Sequence, residues 1–183
     1  MSSPSAAQLC GHFELSAEGR ALLAPEAKPR AFLDLLLQNN RHEDAAQLMS
    51  HALPKREAVW WACQCLRKSA ELSKSALEIV AAAESWSVDP TDEQRRKTFE
   101  LAELASFEPP TCFLGMAVFF SGGSLSLPNL PPVEPKEHLT GTMIGNAVKL
   151  AALAGDAAKA PERYAGFLSL GLDIVNGKAR VAK

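Results

Sequence analysis

Residues 119–135 read FFSGGSLSLPNLPPVEP, a break of Ser, Gly, Leu and Pro in a chain otherwise dominated by helix formers. Read as strand and nucleotide loop, this stretch would make the protein an α/β fold; read as a connection, it leaves the chain all-helical. A phosphate-cradling P-loop needs a lysine after its second glycine, and none follows Gly123. A dinucleotide fingerprint needs three spaced glycines between strand and helix, whereas two stand here and a helical pattern precedes them. Gly122-Gly123-Ser124-Leu125-Ser126 misses the last glycine of a nucleophile elbow and lacks its strand-turn-helix setting. The reading that remains is a structured connection. Ser121, Gly122 and Gly123 end a helix through positive-φ positions. The prolines then favour extended, polyproline-like backbone. Leu125, Leu127, Leu130 and Val133 would give that backbone something to bury. A long connection in a compact domain tends to be functional or disordered, and the spaced leucines argue for order. The expectation is a strap that crosses the bundle and lies on helices, over Trp60, with a docking surface as its possible use.

Outward from this stretch the pattern is helical. About nine helices are expected, from the spans 5–12, 16–23, 29–39, 42–53, 55–70, 72–87, 91–107, 110–120, 138–155 and 161–176, the two weakest merging or fraying. "VDPTDEQ" at 88–94 offers two starts: Asp89 as cap with Pro90 at the first helical position, or Thr91 with Gln94 in a capping box. His42 begins an acidic first turn. "APERYAGFLSLGLDIVNG" at 160–177 begins near Pro161 and ends at Asn176-Gly177, a natural left-handed cap. Its stripe is Tyr164, Phe167, Leu168, Gly171 and Val175. The span 138–155 is apolar nearly all round, which predicts a central helix, and Gly141 and Gly145 would allow close approach of a neighbour. Short links predict stacked antiparallel hairpins at 29–53, 55–87, 91–120 and 138–176. No fixed-period repeat is visible, so the fold class is all-α: a compact multi-helix bundle with one long proline-rich crossing loop. The organisation expected is a loose N-terminal segment 1–24 with two short helices, a single helical domain 25–178 and a basic tail 179–183.

Composition excludes several functions. Nineteen basic and 21 acidic residues give a net charge of −2, which argues against nucleic-acid binding driven by phosphate contacts. The apolar run "CFLGMAVFF" at 112–120 is far shorter than the roughly 20 residues of a membrane span, and the first residues lack the basic and apolar regions of a signal peptide. A soluble, cytoplasmic protein without membrane contact is expected. Cys63 and Cys65 are two apart on a helix and point about 200° apart, so they cannot share a metal ion. They read as small buried residues. His42 and His51 are nine apart on one expected helix and so face opposite ways, and His12, His42, His51 and His138 read as lone surface histidines. No metal and no cofactor is expected.

One helix face stands apart. In "KREAVWWACQCLRK" at 55–68, Ala58, Val59, Ala62, Cys63, Cys65 and Leu66 form the apolar side. Trp61 lies on its border and Trp60 inside the polar arc, between Arg56 and Gln64. Either another part of the chain covers Trp60, with Arg56 or Arg67 stacking on it, or Trp60 is an exposed anchor for a partner. The candidate interaction surface is therefore Arg56, Trp60, Gln64 and Arg67 with Ser121, Gly122, Gly123, Ser124 and Leu125.

The segments "LPKREAVWWACQCLR", "ESWSVDPTDEQRR", "FFSGGSLSLPNLPPVEPKEHLT" and "APERYAGFLSLGLDIVNGK" resemble an uncharacterised family of bacterial helical proteins, a domain of unknown function. The residues that carry the likeness are Arg56, Glu57, Ala58, Trp60, Trp61, Trp86, Pro90 and Ser121 to Ser124, over roughly 25–178. The resemblance implies an association with type VI secretion loci and supplies no catalytic residues. The function expected is a non-enzymatic cytoplasmic accessory or adaptor with a protein partner. The alternatives are a small-ligand or regulatory helical module and, less favoured, an enzyme drawing on His51, Glu57 and Ser124.

Overall fold

The computed structural model describes residues 4–69, 71–127 and 129–179. Among these residues there is no strand, and the elements are ten α-helices with one 3₁₀ turn. In chain order they are α1 (Ala6–Cys10), α2 (Ala17–Leu22), α3 (Pro29–Gln38), α4 (His42–Ala52), α5 (Lys55–Ser69), α6 (Lys74–Val88), α7 (Asp92–Leu104), α8 (Thr111–Phe119), α9 (Leu139–Leu153), the 3₁₀ turn Ala157–Lys159, and α10 (Ala160–Val175).

Local chemistry sets most boundaries. Ser5 and Gln8 form a reciprocal capping box at α1, and Ser16 and Ser73 cap α2 and α6 through their hydroxyls. At α7 the choice falls on Thr91, whose side chain accepts from the Gln94 amide at 3.2 Å; Asp89 instead closes the end of α6. Helix α7 stops at Leu104, short of the expected 107, because Ser106 and Phe107 take φ of 53° and 52° and turn the chain. Helix α10 ends as expected: Gly177 has φ of 70° and donates to the Ile174 carbonyl.

Helix α9 is the centre of the bundle, packed against α8, α4, α5 and α10. Ile144, Ala147, Val148 and Ala151 are wholly buried, while Leu150 and Leu153 reach solvent. Gly141 and Gly145 receive side chains of α4 rather than backbone: a Cβ there would collide with the His51 ring and the Gln47 amide. Pairs α3/α4, α5/α6 and α7/α8 pack as neighbours, whereas α10 lies on α4 and α5 more than on its sequence partner α9. The α10 stripe holds at Tyr164, Phe167, Leu168 and Gly171, but Ile174 is buried in place of Val175, which is exposed. Trp61 is fully buried, and its indole N–H donates to the Phe167 carbonyl at 2.8 Å, tying α5 to α10.

Of segment 1–24, the described residues 4–24 are packed onto this core. Ala6, Leu9, Cys10 and Leu15 are buried in it, and Ser16 donates from its backbone N–H and its hydroxyl to the buried Asp44 carboxylate at 2.9 and 2.5 Å. Of the basic tail 179–183, all but Ala179 lies outside the described residues, as does Pro128 of the connection.

Candidate functional site

The connection after α8 is held by arginines of α7. Arg95 is 3% exposed and spans the gap: it donates to the Phe119 carbonyl at 2.6 Å, to the Ser124 carbonyl at 2.9 Å, and to Asp92 at 2.6 and 2.8 Å. Its guanidinium also stacks over the Phe119 ring, 4.7 Å from the centroid. Arg96 donates to the Ser124 and Ser126 carbonyls at 2.9 and 3.0 Å. Asp92 orients both, and the hydrogen bonds from Arg96 and Arg95 hold its carboxyl below the usual carboxylate range. Lys55 adds a bond to the Ser121 carbonyl at 3.0 Å. Gly123, at φ of 64°, makes the turn beside Asp92 and Arg95, where a Cβ would crowd both.

Beyond Gly123 the chain closes on itself. The Leu125 amide donates to the Val133 carbonyl at 2.8 Å, and the Ser124 hydroxyl accepts from the Ser126 and Val133 amides at 3.1 Å. This corrects the expectation of an extended strap lying on the bundle. Leu127, Leu130 and Val133 are 63%, 53% and 54% exposed, so they bury little, and only Leu125 is partly covered. The reason is hydrogen bonding: carbonyls at 119, 121, 124 and 126 are claimed by basic side chains, and the two ends of the loop pair with each other. The Ser124 hydroxyl acts here as the acceptor for two backbone amides at the neck of the loop.

The α5 face is also used inside the chain. Arg56 donates to the Ser87 carbonyl and, at 2.7 Å, to the Val88 carbonyl, closing the C-terminal end of α6. Arg67 forms a two-point pair with Glu84 at 2.7 Å, and Gln64 reaches the same carboxylate at 3.4 Å. Neither arginine stacks on Trp60 among the described residues; the ring is half-buried at the core margin. The loop's hydrogen bonds run to Lys55, Arg95 and Arg96, and Trp60 has no part in them. The nine candidate residues are thus parted into an α5–α6 brace and an α7-anchored loop.

The histidines are where sequence reading failed. His12, just after α1, stacks on His138 at the start of α9 with ring centroids 4.7 Å apart and planes within 8°. His51, near the end of α4, lies 5.8 Å from His12, and Phe13 flanks it at 5.3 Å. Burial first, then the neighbouring His12 and His138, push the His51 ring down to about 4. It is therefore neutral at physiological pH. These histidines line a cleft of about 510 Å³ together with Lys55, Ser50 and Thr140. No local signal could have joined positions 12, 51 and 138; only the packing of α1 and α9 on α4 does so.

A family model described as "Family of unknown function (DUF6931)" matches residues 32–175. The chain belongs to this family. No curated protein and no solved structure matches the chain. The DUF6931 match covers the α5 brace, the 121–135 loop, His51 and His138, while α1, α2 and His12 precede it.

The chemistry open to these groups is bounded. Among the described residues no set of His, Cys, Asp and Glu side chains is placed to hold a metal ion, the stacked histidines turning faces rather than ring nitrogens toward each other. All four cysteines are free and buried. Burial raises the Cys63 and Cys65 thiols well above the ordinary range and lifts Cys10 to about 11, so none is a ready nucleophile. No helix of the described residues is long and apolar enough to cross a membrane.

Proposed function

We propose that this DUF6931 protein is a non-enzymatic, cytoplasmic adaptor that works by binding another protein, as an accessory of a type VI secretion system or its cargo. The observation that carries the reading is the 121–135 loop, which is fixed by Arg95 and Arg96 and yet leaves Leu127, Leu130 and Val133 facing solvent. Apolar side chains displayed on an ordered backbone bind with little loss of conformational entropy. Exposed apolar clusters on soluble domains mark interaction sites. Arg56, Gln64 and Arg67 are already satisfied within the chain, so the loop is the better recognition element and Trp60 at most its periphery. The link to type VI secretion rests on the family resemblance of the Trp60-Trp61 and Ser121–Ser124 motifs.

The test is co-purification of tagged protein with type VI components from a bacterium that carries both. Wild type should retain a component that Leu127→Ser, Leu130→Ser, Val133→Ser combined does not, with both proteins folded by circular dichroism. Identical capture by the two, or none by wild type, would count against the proposal.

A further inference from the structure

The histidine cleft carries a second reading that does not draw on the loop's apolar side chains, although Lys55, which lines the cleft, also donates to the Ser121 carbonyl of the loop. Thr140 lines it, is 1% exposed, and its hydroxyl has no hydrogen-bond partner. His51 Nε2 is likewise buried and unpartnered. Leaving a buried polar atom unpaired costs about 1–3 kcal/mol, so two at one cleft need an explanation. The cleft also receives two helix N-termini. Helix α9 begins there with His138 as its cap residue and no side-chain capping bond, and α5 begins there at Lys55. Helix N-termini present free amide donors and the positive end of the backbone dipole. His12, His138 and Lys55 line the cleft against a single carboxylate, Glu137, and Leu9, Leu53 and Pro54 supply apolar wall.

We propose that this cleft binds a small organic molecule bearing an oxyanion, with the oxyanion at the start of α9 beside the Thr140 hydroxyl and the His12–His51–His138 rings. The neutral His51 ring donates one N–H to the anion without adding charge, and the Thr140 hydroxyl donates a second hydrogen bond. The volume of about 510 Å³ exceeds what a bare ion needs and suits a ligand with a short apolar body. A phosphate ester and a carboxylate share this chemistry.

The experiment is a titration of the full chain with inorganic phosphate and, separately, with butyrate, followed through the Cε1–H resonances of the histidines. Saturable shifts of His12, His51 and His138 with either probe support the site, and the better probe identifies the anion. Thr140→Val, which keeps the shape and removes the hydroxyl, should weaken binding by about fivefold to tenfold. Thr140→Ser should bind like wild type. Should Thr140→Val fail to fold, His138→Gln at the half-exposed cap position replaces it, with weaker binding expected. Absence of saturable shifts with both probes overturns the proposal, as does unchanged affinity in the folded Thr140→Val or His138→Gln variant.

Discussion

Helix α9 and the 121–135 loop are close in sequence and both apolar, yet one is the buried centre of the bundle and the other stands out from it. The difference lies in the backbone. A helix satisfies its own amides and carbonyls, so its apolar faces are free to sink among α4, α5 and α8. The loop cannot, and its carbonyls recruit Arg95, Arg96 and Lys55 while Ser124 closes its neck. Apolar side chains alone therefore do not decide burial; the hydrogen-bond demands of the backbone that carries them do.

Substitutions should separate the two regions. In the core, Trp61→Ala removes a wholly buried ring and the bond to Phe167; a loss of about 3–5 kcal/mol is expected in urea unfolding. On the loop side, Arg95→Met deletes the bonds to Phe119, Ser124 and Asp92 but leaves the core helices, so about 2–3 kcal/mol is expected by the same measurement. Equal losses in the two variants would erase the distinction drawn above.

The helical fold was largely legible in sequence because its signals are local: Thr91 and Gln94, Pro161, Asn176-Gly177 and the apolar side of residues 55–68 each act within a turn or two. The loop's true course was not legible, since it depends on Arg95 and Arg96, nearly thirty residues upstream, facing the Ser124 carbonyl. Spaced leucines suggested burial that the arginine anchor makes unnecessary. The histidine cleft was hidden for the same reason, being made by tertiary packing of three distant positions.

Two titrating groups mark the regions at different pH. His51 has a lowered folded value of about 4 against an ordinary 6.5, so its neutral form stabilises the fold fully above pH 6.5. That contribution, about 2 kcal/mol after allowing for solvent screening, is lost as pH falls from 6.5 toward 4, and His51→Phe should flatten this part of the stability curve. Asp92 is also lowered, so its contribution is full above the ordinary carboxylate value and is lost on further acidification. With its side chain 61% exposed, the effect should be seen as local loosening of the loop rather than global unfolding. The smallest effect belongs to the loop's own apolar residues: Leu127→Ser should change stability by no more than about 0.5 kcal/mol.

Amide hydrogen exchange tests the central claim most directly. In wild type the Leu125, Ser126 and Val133 amides are bonded and should be protected. Arg95→Met should abolish that protection, while Leu127→Ser, Leu130→Ser, Val133→Ser combined should leave it intact. Protection that survives loss of the arginine and disappears with the apolar side chains would show that hydrophobic burial, not the arginine anchor, orders the loop.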